Sequence, residues 1–198
     1  ELRAICDAHG LLLIFDEIQC GMGRTGKLFA HEYSDIVPDV MTVAKALGGG
    51  FPIGACLATE AAAEGMVFGA HGSTFGGNPL AMAVGIAAFD ALSAPELLDN
   101  VNRMAGYLRQ QMEGLQQRYP DLILEVRGKG LLTGLKIVPK NRDVMTIARD
   151  NGLLIAGGSD NCIRLLPPLN LPEDEAREAI GLLDKTFAEA REKLKESA

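Results

Sequence analysis

The sequence predicts an α/β fold: a doubly wound domain over residues 1–93, then a smaller α+β domain over residues 94–198. Three observations predict it. Short apolar runs at residues 11–15 and 40–43 alternate with helical segments, the pattern of a parallel sheet wound with helices. Each run ends abruptly in polar chemistry, Asp16-Glu17-Ile18-Gln19 after the first and Ala44-Lys45 after the second. Near Ser93-Ala94-Pro95 the composition shifts to long charged helices around short strands.

The elements follow in order. Residues 1–8 read as a helix already under way, stopped by His9-Gly10. The run at 11–15 is an unbroken apolar strand, expected to be buried on both faces. Residues 21–26 form a glycine-rich loop, 28–33 a helical turn, and 40–43 and 54–58 further strands, followed by a short alanine-rich helix through Glu64. Asn78 is suited to cap a helix with Pro79 in its first position, running to Leu92. In the second domain Leu97, Val101, Met104, Leu108, Met112 and Leu115 recur at helical spacing over residues 96–119. Strands are expected at 122–126 and 131–138, on either side of Arg127-Gly128-Lys129-Gly130, and at 153–156 and 162–166. Helices are expected at 143–151 and from Pro172 onward.

Composition narrows the functional classes. The chain has 198 residues, 47% of them hydrophobic, enough for a real core. With 19 basic against 26 acidic residues its net charge is −7, and no basic cluster is dense enough to follow phosphates, so nucleic acid is not an expected partner. Charge, Gly or Pro interrupts every apolar stretch before it reaches membrane-spanning length, so no membrane partner is expected either. Cys6, Cys20, Cys56 and Cys162 form no CxxC pair and no zinc spacing; no metal is expected, and a reducing cytoplasm suits them. The opening on a helix under way, without an initiator Met, leads us to expect a piece of a longer chain.

Candidate chemistry gathers between residues 11 and 81. An acid just past a parallel strand lies at the carboxyl edge of the sheet, where open α/β folds bind ligands. Asp16 takes that place, although alone such a residue is more often a turn cap. Lys45 follows the next parallel run and precedes Gly48-Gly49-Gly50, whose bare backbone admits a close ligand; without this context a lysine here would be a solvated surface group. Ser73 and Thr74, in His71-Gly72-Ser73-Thr74-Phe75-Gly76-Gly77-Asn78-Pro79, offer hydroxyls and amides before a helix start, or are simply turn residues. An amine, an acid and phosphate donors together suit pyridoxal phosphate.

Two tempting motifs are rejected. Gly21-Met22-Gly23-Arg24-Thr25-Gly26 matches GxGxxG, but residues 16–20 separate it from the strand it should follow directly. Extended to Lys27 it imitates a Walker loop, yet Leu28 stands where Ser or Thr would bind magnesium. A glycine-rich surface turn is the preferred reading. Arg164, within the apolar stretch Cys162-Ile163-Arg164-Leu165-Leu166, needs an anion: a structural ion pair or a ligand carboxylate. His9 and His31 read as surface residues and His71 as structural.

Asp16-Glu17-Ile18-Gln19, Gly23-Arg24-Thr25-Gly26-Lys27-Leu28-Phe29, Lys45 through Ala55 and His71 through Pro79 together resemble the class III aminotransferases, in order and at that family's spacing. The resemblance implies the C-terminal part of the large domain of a fold-type I pyridoxal-phosphate enzyme, plus its small C-terminal domain. It implies that Lys45 bonds the cofactor and moves the proton, while Asp16 faces the ring nitrogen. Ile18 would lie on the ring and Gln19 would donate to the phenolic oxygen; Glu17 belongs to the same cofactor-binding segment, more as a support of the turn. Thr74 would reach the phosphate held by the other subunit of a homodimer with shared active sites, and Ser73 and Arg164 would meet substrate. The implied reaction moves the δ-amino group of N-acetylornithine to 2-oxoglutarate in arginine biosynthesis. Succinylornithine, ornithine or 4-aminobutyrate are the alternative donors, and a non-catalytic binding domain is the alternative role. The family's first phosphate loop, ring-stacking aromatic and main carboxylate-binding arginine have no counterpart in these 198 residues, so the chain alone is expected to be weakly active or inactive.

Overall fold

The computed structural model describes residues 1–196, which divide into two compact units, Glu1–Leu98 and a second from Asp99 onward. In the first unit, helix α1 (Leu2–His9) ends at Gly10, whose φ of 62° is the left-handed cap conformation that glycine adopts without strain. Arg3 bonds Asp39, and Asp39 also accepts the Leu13 amide at 2.7 Å, so one carboxylate fixes both the helix and the approach to the first strand. Strand β1 (Ile14–Asp16) pairs in parallel with β2 (Val40–Val43), and β2 pairs antiparallel with β3 (Ala55–Ala58). A short helix, α2 (Glu60–Ala63), follows on the Thr59 cap, whose hydroxyl accepts the Ala62 amide. Helix α3 (Pro79–Leu92) starts on the Asn78 cap with proline in its first turn.

One expectation fails here. The sequence predicts a strand covered on both faces at 11–15, but only Ile14–Asp16 is strand, and Ile14 is 59% exposed. Strand β3 is exposed along its whole length. Apolar character records what a segment can bury; in the described residues no element lies over this face.

The second unit is built around an antiparallel sheet. Helix α4 (Pro95–Arg118) crosses the division between the units and buries Val101, Met104, Leu108, Met112 and Leu115, the expected stripe with Leu97 only half-buried. Strands β4 (Ile123–Lys129), β5 (Leu132–Ile137), β6 (Ala156–Gly158) and β7 (Cys162–Leu165) line up in the order β4-β5-β7-β6. Helix α5 (Asn141–Asp150) packs against α6 (Glu173–Glu196), whose Leu183 and Phe187 are fully buried. Tyr119 closes the core beside Phe187, with ring centroids 5.8 Å apart and its hydroxyl donating to Asp184 at 2.7 Å.

The expected turn at residues 127–130 is largely strand. Gly128, at φ 113°, remains in register with Thr133, so β4 runs through to Lys129 before reversing.

Candidate active site

The parallel pairing of β1 with β2 sets the geometry. Asp16 lies opposite Thr42, and the Glu17 amide donates to the Thr42 carbonyl at 2.9 Å, so the two strands reach their carboxyl ends together. Asp16 therefore stands on the same sheet rim from which β2 leads through Ala44 to Lys45, the position at which open α/β sheets bind ligands. Asp16 is exposed, and its Oδ1 accepts the Ile18 amide at 2.9 Å.

Lys45 opens a 3-10 turn, Lys45–Gly48, with φ at +49°, a conformation non-glycine residues rarely take. Such strain persists only where the surroundings hold it, and it clusters at ligand sites. The surroundings do hold this turn. A Cβ on Gly48 would stand 2.6 Å from Ile53 Cγ2, and one on Gly85 of α3 would stand 3.2 Å from Ile53 Cδ1. Small residues on the turn and on α3 thus let the turn seat closely through Ile53. The Lys45 side chain is exposed and has no hydrogen-bond or ion-pair partner among the described residues.

Behind the strand end Glu17 supports more than its own turn, and its reach to residues 30 and 31 is what the sequence did not show. Glu17, only 2% exposed, accepts the amides of Ala30 at 2.9 Å and His31 at 2.7 Å, with His31 Nδ1 at 3.1 Å and Cys20 Sγ at 3.3 Å. Burial pushes its carboxyl up, but the two amides and the Cys20 and His31 side chains outweigh this and hold it below the ordinary glutamate range. Burial beside this acid pushes the Cys20 thiol up to about 11, so at neutral pH it stays a protonated donor. Two readings are corrected. The glycine loop is no surface turn, because Gly21, Met22, Gly23, Thr25 and Gly26 are buried; and His31 is half-buried between Phe29 and Phe15. A carboxylate followed four residues later by a bare glycine was the available signal.

Ser73 and Thr74 lie in the exposed loop that leads to α3. Ser73 Oγ accepts the Gly76 amide at 2.9 Å, an ordinary turn closure, while Thr74 has no partner among the described residues. Among the described residues no hydrogen bond joins either of them to Asp16 or Lys45; strand pairing brings Asp16 and Lys45 to one rim, while this pair lies on its own loop. Gln19 is exposed and Ile18 half-exposed beside Asp16; His71 is exposed.

In the second unit Arg164 on β7 lies between Gly134 of β5 and Ala156 of β6. These small neighbours leave room for its stem: a Cβ on Gly158 would meet Arg164 Cδ at 3.2 Å. Its Nε donates to the Gly157 carbonyl at 3.0 Å, and it has no acidic partner among the described residues. A structural ion pair is thereby ruled out within them. Arg164 lines an apolar cavity of about 490 Å³ together with Leu108, Leu153 and Leu165. No three His, Cys, Asp or Glu side chains gather as a metal site would need, and no single helix is long and apolar enough to cross a membrane, among the described residues.

Comparison with known proteins yields consistent matches. Acetylornithine aminotransferase 2 of Caulobacter vibrioides is 64% identical over 193 residues, 97% of this chain and 48% of that protein. Acetylornithine aminotransferase of Rhodobacter capsulatus is 54% identical over 94% of the chain and 48% of its own length. The chain spans about half the length of the curated relatives it matches. Among solved structures, N-acetylornithine aminotransferase from Stenotrophomonas maltophilia K279a superposes with a TM-score of 0.84 at 40% identity, covering 94% of this chain and 50% of that one. An ornithine aminotransferase from Toxoplasma gondii, described with partial occupancy of PLP at its active site, gives 0.91 at 33% identity, covering 98% and 47%. The fold is that of a pyridoxal-phosphate-dependent aminotransferase. The description "Aminotransferase class-III" fits residues 1–187, and the chain belongs to that pyridoxal-phosphate-dependent family.

Proposed function

We propose that this chain carries the lysine-bearing part of an aminotransferase that moves the δ-amino group of N-acetylornithine to 2-oxoglutarate. One observation carries the proposal: a strained lysine with no partner among the described residues and an exposed carboxylate leave adjacent parallel strands at one rim. This donor set fits pyridoxal phosphate, since its amine answers an aldehyde and its acid answers a ring nitrogen. When bound, the cofactor supplies an electron sink for the substrate carbon that loses its proton.

Asp16 keeps a proton on the ring nitrogen, Ile18 covers a ring face, and Gln19 donates to the phenolic oxygen. Lys45 Nζ, once released, takes the proton from the carbon bearing the substrate amine. An exposed amine must be partly desolvated to do so, because a fully hydrated ammonium holds its proton too firmly. Thr74 reaches the phosphate of a second subunit, which makes the enzyme a homodimer with shared sites, and its exposed loop and unpaired hydroxyl support this role. Ser73 contacts substrate. Arg164, which has no acidic partner among the described residues, receives a substrate carboxylate. We place the enzyme in the cytoplasm, in arginine biosynthesis. The 64% and 54% identities to acetylornithine enzymes, against 33% for an ornithine enzyme, favour the acylated donor.

The test is glutamate formation by the complete enzyme offered N-acetylornithine, ornithine and 4-aminobutyrate in turn. The expected result is the highest kcat/KM for N-acetylornithine, with Lys45→Ala at background. Equal or better use of ornithine overturns the substrate assignment, and full activity in Lys45→Ala overturns the site.

A further inference from the structure

We infer that Glu17 is a positioning residue: it locks the loop of residues 21–33 behind the strand end and so aims Asp16 and Ile18 at the rim. The inference deepens the proposed function and rests on it for the identity of the ligand.

The lock has two sides. On one, the Glu17 amide donates to the Thr42 carbonyl at 2.9 Å, which keeps this residue paired to β2 one step past Asp16. Successive side chains on a strand point to opposite faces, so Glu17 turned into the loop leaves Asp16 on the other face. Asp16 Oδ1 in turn accepts the Ile18 amide at 2.9 Å, so the carboxylate direction depends on the backbone that Glu17 holds. On the other side, the Glu17 carboxylate gathers the Ala30 and His31 amides, the His31 ring and the Cys20 thiol. Its own carbonyl accepts the Gly21 amide at 2.9 Å.

The fit leaves little slack. A Cβ on Gly21 would stand 2.8 Å from the Glu17 carbonyl oxygen and 3.2 Å from Oε2. The His31 ring is stacked on Phe29 at 5.8 Å between centroids and lies 6.1 Å from Phe15 of β1, so the 3-10 turn Ala30–Tyr33 is tied to the strand by packing as well. An apolar residue here would leave the Ala30 and His31 amides without this acceptor, so the carboxylate also holds the loop in place. As an aiming device it is suited, because several directed hydrogen bonds fix one orientation where apolar packing tolerates several.

The experiment compares wild type, Glu17→Gln and the milder His31→Asn in the complete aminotransferase, by hydrogen exchange without cofactor and by pyridoxal-phosphate titration. In Glu17→Gln the amides of Ala30 and His31 are expected to exchange faster, and the Ile18 amide, which reports the Asp16 direction, to exchange about tenfold faster too. The pyridoxal-phosphate dissociation constant is expected to rise about tenfold, with a shifted pH midpoint of the bound chromophore, and His31→Asn to show the same changes in smaller measure. Loosened Ala30 and His31 amides with unchanged Ile18 exchange in both variants would mean a purely structural acid, and overturn the inference. Should wild type take up no pyridoxal phosphate, the proposed function fails, while Ile18 exchange still decides whether Glu17 aims Asp16.

Discussion

Replacing Gly21 by alanine tests the packing behind the candidate site with a single methyl group. The new Cβ would lie 2.8 Å from the Glu17 carbonyl oxygen, 3.1 Å from Glu17 Cβ and 3.2 Å from Oε2. The first of these is backbone, so no side-chain rotation relieves the overlap. Gly21 is not among the residues with positive φ, and the cost is therefore steric rather than conformational. Overpacking of this kind costs roughly 1–3 kcal/mol. In a unit of this size each kcal/mol lowers Tm by about 4–8 °C, giving an expected fall of about 4–24 °C. Gly10→Ala supplies the contrast, because nothing lies within 4 Å of its Cβ while its φ is +62°. There the cost is conformational, about 1–2 kcal/mol. Scanning calorimetry of both variants, with hydrogen exchange at Ala30 and His31, separates the mechanisms. Only Gly21→Ala should loosen those two amides. A Gly21→Ala protein as stable as wild type, with both amides still protected, refutes the close approach.

Other substitutions probe the remaining features. Gly128→Ala sets a Cβ 2.0 Å from the Leu132 carbonyl oxygen at a φ of +113°, and should prevent the β4–β5 hairpin from forming, seen as loss of cooperative unfolding in the second unit. Phe187→Ala empties a fully buried position and should cost about 3–5 kcal/mol in urea unfolding. Asp160→Asn weakens exposed, solvent-screened pairs with Arg127 and Lys136 and should leave the urea unfolding midpoint nearly unchanged, despite the short distances. Because the Glu17 carboxyl titrates lower in the folded chain than in an unfolded one, its stabilising contribution is complete above the ordinary glutamate pKa. It is lost as pH falls through the folded value, so Glu17→Gln should narrow its stability gap to wild type in acid.

Local signals were legible where they rest on chain chemistry. The Asn78-Pro79 start and the Leu92 end of α3 follow from capping preferences, and the buried stripe of α4 follows from helical spacing. The Asp16 and Lys45 rim was legible because parallel strands end at one edge, whatever their neighbours. What stayed hidden depends on partners distant in sequence. Leu11 and Leu12 look buried by composition, yet exposure is decided by what packs over them. Gly128 looks like a turn, but its pairing with Thr133 carries the strand through a left-handed residue. Glu17 and His31 lie fourteen residues apart, and no periodicity joins an acid to two amides of a 3-10 turn. For Arg164 the sequence left ion pair and ligand equally open; its neighbours Gly134 and Ala156 are small, and no acidic partner lies among the described residues, so a ligand carboxylate remains the proposal.

The reach of Lys45 to an aldehyde held against Asp16 is measured most directly by trapping. The protein is incubated with pyridoxal phosphate, reduced with borohydride and mapped by peptide mass spectrometry. The account predicts one pyridoxyl adduct, on the peptide carrying Lys45, strongly diminished in Asp16→Asn. An adduct spread over Lys27, Lys129 and Lys136, or one at Lys45 indifferent to Asp16, would contradict it.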